Sequence, residues 1–220
     1  MHSSSRSENP SASAWQITVC RGAESCTAGL VRLSVLAIEL EQAVRYAGWA
    51  DHLRRAYPDG FRPHHRLRIA VAACPNGCSQ PQICDLGLIA WSAPLVDAQA
   101  CTGCGTCLPA CRESALALTQ QRITFAPPRC VGCAACSRVC GAGALRKGPL
   151  SFRLLLGGHL GRHPAWAEEL PPRLLPHQIG PAVERVIRLL ILQIRPNERV
   201  GQTVRRLGLA AFAEAHASET

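Results

Sequence analysis

The chain has 220 residues, 47% hydrophobic, 18% charged and 5% aromatic, enough apolar material for one or two small cores and too much for a wholly disordered polypeptide. Its net charge of +9 would by itself suggest a nucleic-acid partner, but thirteen cysteines alter that balance, because clusters held by thiolates bring offsetting negative charge. No nucleic acid and no membrane span is expected: the longest apolar run, Val186 to Ile194, is interrupted by Arg188 and Gln193 and falls far short of the roughly 20 residues that cross a bilayer.

Met1 to Ala14 is Ser-rich, lacks the apolar core of an export signal and reads as a disordered tail of a cytoplasmic protein. A first unit follows over residues 15–97. Gln16 to Cys20 alternates as a short strand, and Thr27 to Ala47 carries Leu30, Val31, Leu33, Leu36, Ile38, Leu40 and Val44 at helical spacings, stopping at Gly48. A short helix, Trp49 to Tyr57, ends at the turn Pro58-Asp59-Gly60, and Arg66 to Ala73 is a second alternating strand. Each strand delivers the chain into a cysteine pair. Residues 98–147 form a second unit, in which Ala115–Leu118 and Arg122–Phe125 suit a small hairpin. Leu150 to Leu156 then reads as a strand returning to the first domain, which resumes over 148–220, and Gly157-Gly158 breaks it. Pro171 and Pro172 mark a loop. Pro181 opens a helix through Arg195 with Val183, Val186, Ile187, Leu190, Ile191 and Ile194 as its buried stripe and Glu184 spaced to pair with Arg188, and Arg199 to Ala215 reads as a last helix.

Twelve of the thirteen cysteines fall into tight sets, too crowded for a disulfide framework and suited to metal in a reducing compartment. Cys101-x-x-Cys104-x-x-Cys107-x-x-x-Cys111 is repeated as Cys130-x-x-Cys133-x-x-Cys136-x-x-x-Cys140. In such runs three cysteines of one loop grip one [4Fe–4S] cluster and the fourth ligates the other. One cluster is therefore expected on Cys101, Cys104, Cys107 and Cys140, and another on Cys111, Cys130, Cys133 and Cys136. The module is similar to bacterial ferredoxins, although Arg112 and Gly141 stand where proline usually follows the fourth cysteine. Structural zinc is the plainer alternative, and eight thiols in a doubled run argue against it. Cys20-x5-Cys26 and Cys74-x3-Cys78 are a looser constellation, fit for a third cubane with Cys26 entering a helix N-terminus, for zinc, or for buried free thiols. Cys84 stands apart and reads as a buried free thiol.

The residues around the looser set narrow those alternatives. Val19-Cys-Arg-Gly-Ala-Glu-Ser-Cys26, Ala73-Cys-Pro-Asn-Gly-Cys-Ser-Gln-Pro81 and Asp85-Leu-Gly-Leu-Ile89 resemble the cluster segments of the sirohaem-containing sulfite and nitrite reductases. Leu156-Gly-Gly-His-Leu-Gly-Arg-His-Pro164, Glu198-Arg-Val-Gly201 and Arg205 to Gly208 extend the likeness, which is greatest to the anaerobic and dissimilatory sulfite reductase branches with a ferredoxin insert. The resemblance implies an α+β fold, a sulfite-reductase-type [4Fe–4S]/sirohaem domain interrupted by a ferredoxin-like insert with two clusters. It implies three [4Fe–4S] clusters and sirohaem in all, with Cys20, Cys26, Cys74 and Cys78 holding the third cluster and Cys78 bridging to the sirohaem iron. Electrons from a donor protein or subunit would enter at the insert and reduce a small oxyanion, sulfite or nitrite. Members of this family place a further half-domain before the first cysteine pair, where this sequence has only Met1 to Val19, so an oligomer or a complex with another subunit is expected to complete the site. Arg21, Arg66, Arg68, Arg146 and Lys147 are local cations that could face an anion, solvated surface charge being the plainer reading. His64 and His65 read as exposed, and His159 and His163 as structural or as shaping a cofactor pocket. Two alternatives are an electron-transfer subunit that holds clusters without substrate chemistry, and a tetrapyrrole-modifying enzyme, which fits the insert poorly.

Overall fold

The computed structural model describes residues 13–21 and 24–217. In chain order the first elements are β1 (Trp15–Val19), α1 (Ser34–Ala47), α2 (Trp49–Ala56), β2 (Leu67–Ala72), β3 (Leu86–Trp91) and β4 (Pro94–Val96). Then come α3 (Cys107–Ala110), β5 (Leu116–Thr119), β6 (Arg122–Phe125), α4 (Ala135–Val139) and β7 (Leu145–Lys147). The chain closes with β8 (Ser151–Leu156), β9 (Glu168–Leu174), α5 (Ile179–Gln193), α6 (Val200–Leu207) and α7 (Ala210–Ala217).

Five strands make one mixed sheet in the order β1-β2-β3-β8-β9, parallel across β1, β2 and β3 and antiparallel from β3 through β8 to β9. Period-two alternation decides what each face buries. Leu67, Ile69 and Val71 of β2 join Leu86 and Leu88 of β3 and Leu154 and Leu156 of β8 in the main core, packed under Leu40 and Val44 of α1 and Val183, Val186 and Ile187 of α5. Each such side chain contributes roughly 1.5–3 kcal/mol by leaving water. On the opposite face β2 presents Ala70 and Ala72, both buried, because the Pro81–Ile83 turn lies close to β2 and β3. Gly87 has no side chain for the same reason: a Cβ there would run into the Pro81 carbonyl.

Residues between β3 and β8 leave and re-enter the sheet at two hydrogen-bonded neighbours. β4 and β7 pair antiparallel as the neck of this excursion, and β5 and β6 form a hairpin within it. The segment has its own small core of Cys107, Leu116, Ile123, Cys136 and Leu145. It is tied down by the Ser92 N–H donating to Gly132 C=O at 2.8 Å, by Ser92 Oγ donating to Gly148 C=O at 2.8 Å, and by Lys147 Nζ donating to Leu30 C=O at 2.8 Å.

Several elements differ from the sequence reading. α1 begins at Ser34 instead of Thr27: residues up to Leu33 form an irregular loop pinned by the Leu30 N–H donating to Ala73 C=O at 2.8 Å, so Cys26 does not enter a helix N-terminus. Ile38 is 60% exposed, pointing away from the α1 residues that face the core. Pro171 and Pro172 lie inside β9, not in a loop, because β9 is an edge strand and the register shifts between Phe152 and Leu154, where the ladder asks no N–H of either proline. α5 starts two residues before Pro181, whose missing N–H falls in the first turn where no helical acceptor exists. Its stripe stops at Leu190, with Ile191 and Ile194 half-buried. The final helix is two, α6 and α7, separated at Gly208. The tail expected over 1–14 lies, for residues 1–12, outside the described residues, while Ala14 is packed and accepts the Leu67 N–H.

Candidate metal centre

Parallel pairing brings the carboxyl ends of β1 and β2 together, and Val19 stands opposite Val71. Cys20 and Cys74 follow those ends. The Cys20 N–H donates to Val71 C=O at 3.0 Å, and the Ala73 N–H donates to Cys20 Sγ at 3.5 Å. The loop carrying Cys26 is drawn over the same end by the Leu30–Ala73 bond. Burial pushes the Cys74 thiol up, the Asn76 N–H opposes this, and the neighbouring Cys26, Cys78 and Cys20 push it up further, so the four sulfurs share one neighbourhood. Asn76 Nδ2 donates to Cys78 Sγ at 2.9 Å. Cys20 is buried, Cys74 half-buried, and Cys26 and Cys78 are exposed.

The two quartets of the excursion cross over. Cys107, at the start of α3, is pushed up by burial and then by Cys140, Cys104 and Cys101. Cys130 is raised by burial and by Cys133 and Cys111, against the opposing effects of the Gly132 N–H and Arg173, and Cys136 is raised by burial, Cys133 and Cys111. The fourth cysteine of each run therefore neighbours the first three of the other. Backbone donors repeat the pattern: Gly103 N–H to Cys101 Sγ at 3.5 Å matches Gly132 N–H to Cys130 Sγ at 3.3 Å, and Ala115 N–H to Cys111 Sγ at 3.3 Å matches Leu145 N–H to Cys140 Sγ at 3.4 Å. The exposed Cys104 thiol is held low by the Thr106 hydroxyl, which donates to its sulfur at 3.5 Å.

Two cavities follow these sets. One of about 20 Å³ is lined by Cys101, Cys104, Cys107 and Cys140 with Leu118 and Ile123. The other, about 730 Å³, is lined by Cys111, Cys130, Cys133 and Cys136 and, from the loop after β2, by Cys74 and Asn76. Among the described residues no three His, Cys, Asp or Glu side chains stand where one metal ion could take them all. The thiols are neighbours in fours instead, and an all-thiolate set of four, each sulfur on a separate iron, is the donor set of a [4Fe–4S] cluster.

The remaining residues singled out from sequence are scattered. Arg21 and Arg146 are exposed, Arg68 pairs with Asp85 at 3.8 Å, and Lys147 holds the neck to the Cys26 loop. Arg66 lies before β2, at the sheet end opposite Cys74. His64 is exposed, whereas His65 is half-buried and stacks on Tyr57 at 3.9 Å. His159 is buried with Nδ1 3.2 Å from Gly157 C=O, and His163 is exposed. Cys84 is half-buried, its thiol raised by burial.

Sequence reasoning missed one neighbour of the Cys130 set. Arg173 of β9 lies over the Trp91 ring at 3.9 Å and acts on Cys130. No local signal marks it, since its place depends on how the sheet meets the excursion. Gly132, whose N–H the glycine pattern of the run already aims at the sulfurs, has φ +70° and is pressed so close to the same ring that a Cβ would overlap it.

The profile of the family described as nitrite and sulphite reductase 4Fe-4S domain matches residues 11–220. Over 100 residues, 44% of the chain, it is 31% identical to the coenzyme F420-dependent sulfite reductase of Methanocaldococcus jannaschii, the match covering 13% of that protein. It is 30% identical over 100 residues, 46% of the chain, to the C subunit of the anaerobic sulfite reductase of Salmonella typhimurium, covering 25% of it. The matched stretch is thus a quarter or less of the length of these relatives. The crystal structure of dissimilatory sulfite reductase I superposes with a TM-score of 0.60 over 93% of this chain and 52% of that one at 16% identity, a likeness of fold.

Proposed function

Because the chain belongs to the nitrite and sulphite reductase 4Fe-4S domain family, we propose that it is an iron–sulfur oxidoreductase that relays electrons to a [4Fe–4S]–sirohaem centre reducing sulfite or nitrite. Residues 98–147 are a ferredoxin-like insert with two clusters, one on Cys101, Cys104, Cys107 and Cys140, the other on Cys111, Cys130, Cys133 and Cys136. Cys20, Cys26, Cys74 and Cys78 would hold the third, and Cys78 would be the ligand shared with the sirohaem iron. The observation that carries this reading is the grouping of twelve thiols into three fours, two of them crossed between runs.

The wide cavity supports an order within the relay. Cys74 lines it together with the Cys111 set, while the cavity of the Cys101 set is lined from within the insert alone. On that order the Cys101 set would accept electrons from a donor protein or subunit, and the Cys111 set would hand them on beside Cys74. This chain's part is to hold the clusters and set their potentials through N–H donors and nearby charge; the metal centres supply the redox chemistry. Anaerobic reconstitution tests the count: about twelve non-haem irons per chain are expected, with one more where sirohaem is bound. Zinc in their place, or iron for two clusters, would overturn the assignment of the Cys20 set.

A second reading is favoured by one observation. Cys78 is exposed and lines none of the three cavities described. On that reading the chain carries clusters and a partner carries the substrate chemistry. Protein from a sirohaem-producing host separates the two: a Soret band and a red absorption band support the first, and their absence with clusters intact supports the second.

A further inference from the structure

A cavity of about 170 Å³ opens at the amino end of β2, the opposite end of that strand from Cys74 and Cys78. The strand between them spans roughly 20 Å, so a molecule bound there does not touch the cluster cysteines. Its floor is apolar, built from Trp49, Leu53 and Tyr57, and its walls come from the Pro63–His65 turn and the connection between α5 and α6. From this chain alone we infer that the cavity is a binding site for a small tetrahedral oxyanion of the phosphate or sulfate type.

The charge balance of the lining carries the argument. Three arginines line it, Arg66, Arg195 and Arg199, together with His52, His64 and His65. None of the three arginine side chains enters an ion pair among the described residues. Both carboxylates in the lining are held by arginines outside it, while the Arg199 charge also acts on Asp85. Glu198 is held by Arg206, with Nη2 to Oε2 at 2.7 Å and Nε to Oε1 at 2.8 Å, and its Oε2 also accepts the Arg195 backbone N–H at 3.0 Å. Asp85 accepts the Arg68 backbone N–H at 2.8 Å and pairs with the Arg68 guanidinium.

Unused donors point the same way. Trp49 is 1% exposed, and its indole N–H has no acceptor; Arg66 Nε is likewise buried without one. A buried unpaired donor costs about 1–3 kcal/mol, and both belong to residues of the cavity lining. The imidazoles agree with this. Burial, then Arg199 and Arg62, hold His64 below its ordinary value, and burial, then His64, Arg62 and Arg199, do the same to His65. Each cation therefore raises the cost of charging the next, which a bound anion relieves. The volume is several water molecules' worth, enough for a tetrahedral oxyanion and too little for a nucleotide.

Calorimetric titration of the cluster-loaded full chain, in a cationic buffer at constant ionic strength, tests this with sodium phosphate, sodium sulfate and sodium chloride as separate arms. A saturable heat with phosphate or sulfate and none with chloride is expected, and the tighter arm identifies the oxyanion. Arg199→Gln, at an exposed position, should weaken binding tenfold or more, as should Arg66→Gln, while Arg205→Gln, outside the lining, should bind as the parent does. Retained cluster absorbance shows that each variant is folded. Equal responses to all three salts, or parent-like binding by both Arg199→Gln and Arg66→Gln, would overturn the site. Iron content reads out the relay separately, so failure of one does not imply failure of the other.

Discussion

Cys78 and Cys84 lie on one short loop and carry opposite expectations. Cys78 shares a neighbourhood with Cys20, Cys26 and Cys74, whereas Cys84 is influenced by Arg68 and Asp85 and by none of the cluster thiols. Cys78→Ser should cost about four irons per chain and the electron-paramagnetic signal of one cluster, while Cys84→Ser keeps all three. Loss of iron from Cys84→Ser with Cys78→Ser intact would place the register of the second pair wrongly. Asp85 offers a pH test beside it. Burial lifts its carboxyl from 3.8 to about 6, against the opposing pull of the Arg68 N–H and the Arg68 and Arg199 charges. A raised carboxyl favours the fold while protonated, so its contribution is complete below about pH 4 and is lost as pH rises through 6. Asp85→Asn should therefore stabilise at pH 7, by about 1–3 kcal/mol, with the gain shrinking towards pH 4. Denaturant midpoints of parent and variant across that range provide the check. Glu198 runs the other way: the Arg206 side chain, hydrogen-bonded to it, holds its carboxyl at about 2, so its stabilisation is complete above about pH 4.5 and fades as pH falls towards 2.

At the scale of elements, what was legible is what is decided locally. β1, β2, the β5–β6 hairpin and β8 follow from alternation between turn residues, and all lie within a residue or two of their expected ends. Where tertiary structure overrides local pattern, the reading departs. Residues 27–33 carry helical apolar spacing, yet they are held as a loop because Leu30 pairs with Ala73 and so draws Cys26 towards Cys74. Pro171 and Pro172 look like a loop to any local rule, and only the edge position of β9 and its register shift admit them to a strand. Cysteine spacing was open to inspection, but the charge beside each set was not. Arg173 reaches Cys130 only because β9 lies across β8 from β3, where its side chain extends to the Trp91 ring. A cation near a cluster favours its reduced form, so Arg173→Met should move the potential of the Cys111–Cys130–Cys133–Cys136 cluster to more negative values, by on the order of 50 mV, and leave the Cys101 cluster unmoved. Redox titration followed by paramagnetic resonance resolves the two, and a shift of the Cys101 cluster instead would contradict the assigned neighbourhoods.

At the scale of the molecule, two ends of one sheet behave differently. The amino end of β2 closes around a basic cavity, while the carboxyl end leaves Cys26 and Cys78 exposed. A macrocycle with several carboxylates needs apolar walls and cations on both faces, and a reacting oxyanion needs donors fixed where charge develops. Among the described residues Cys78 has one side-chain amide donor, Asn76 Nδ2, and lines none of the three cavities. We therefore expect turnover to require a second protein surface over Cys78, from another copy or a separate subunit. Reduced methyl viologen bypasses the natural donor, so it reports only whether the terminal site is complete. With it, a size-separated monomer should reduce sulfite slowly or not at all, and a co-purified complex should turn over within the ordinary enzyme range of roughly 1–1000 per second. A sirohaem-loaded monomer working in that range would show that residues of this chain alone complete the site, and the exposure of Cys78 would then need another cause.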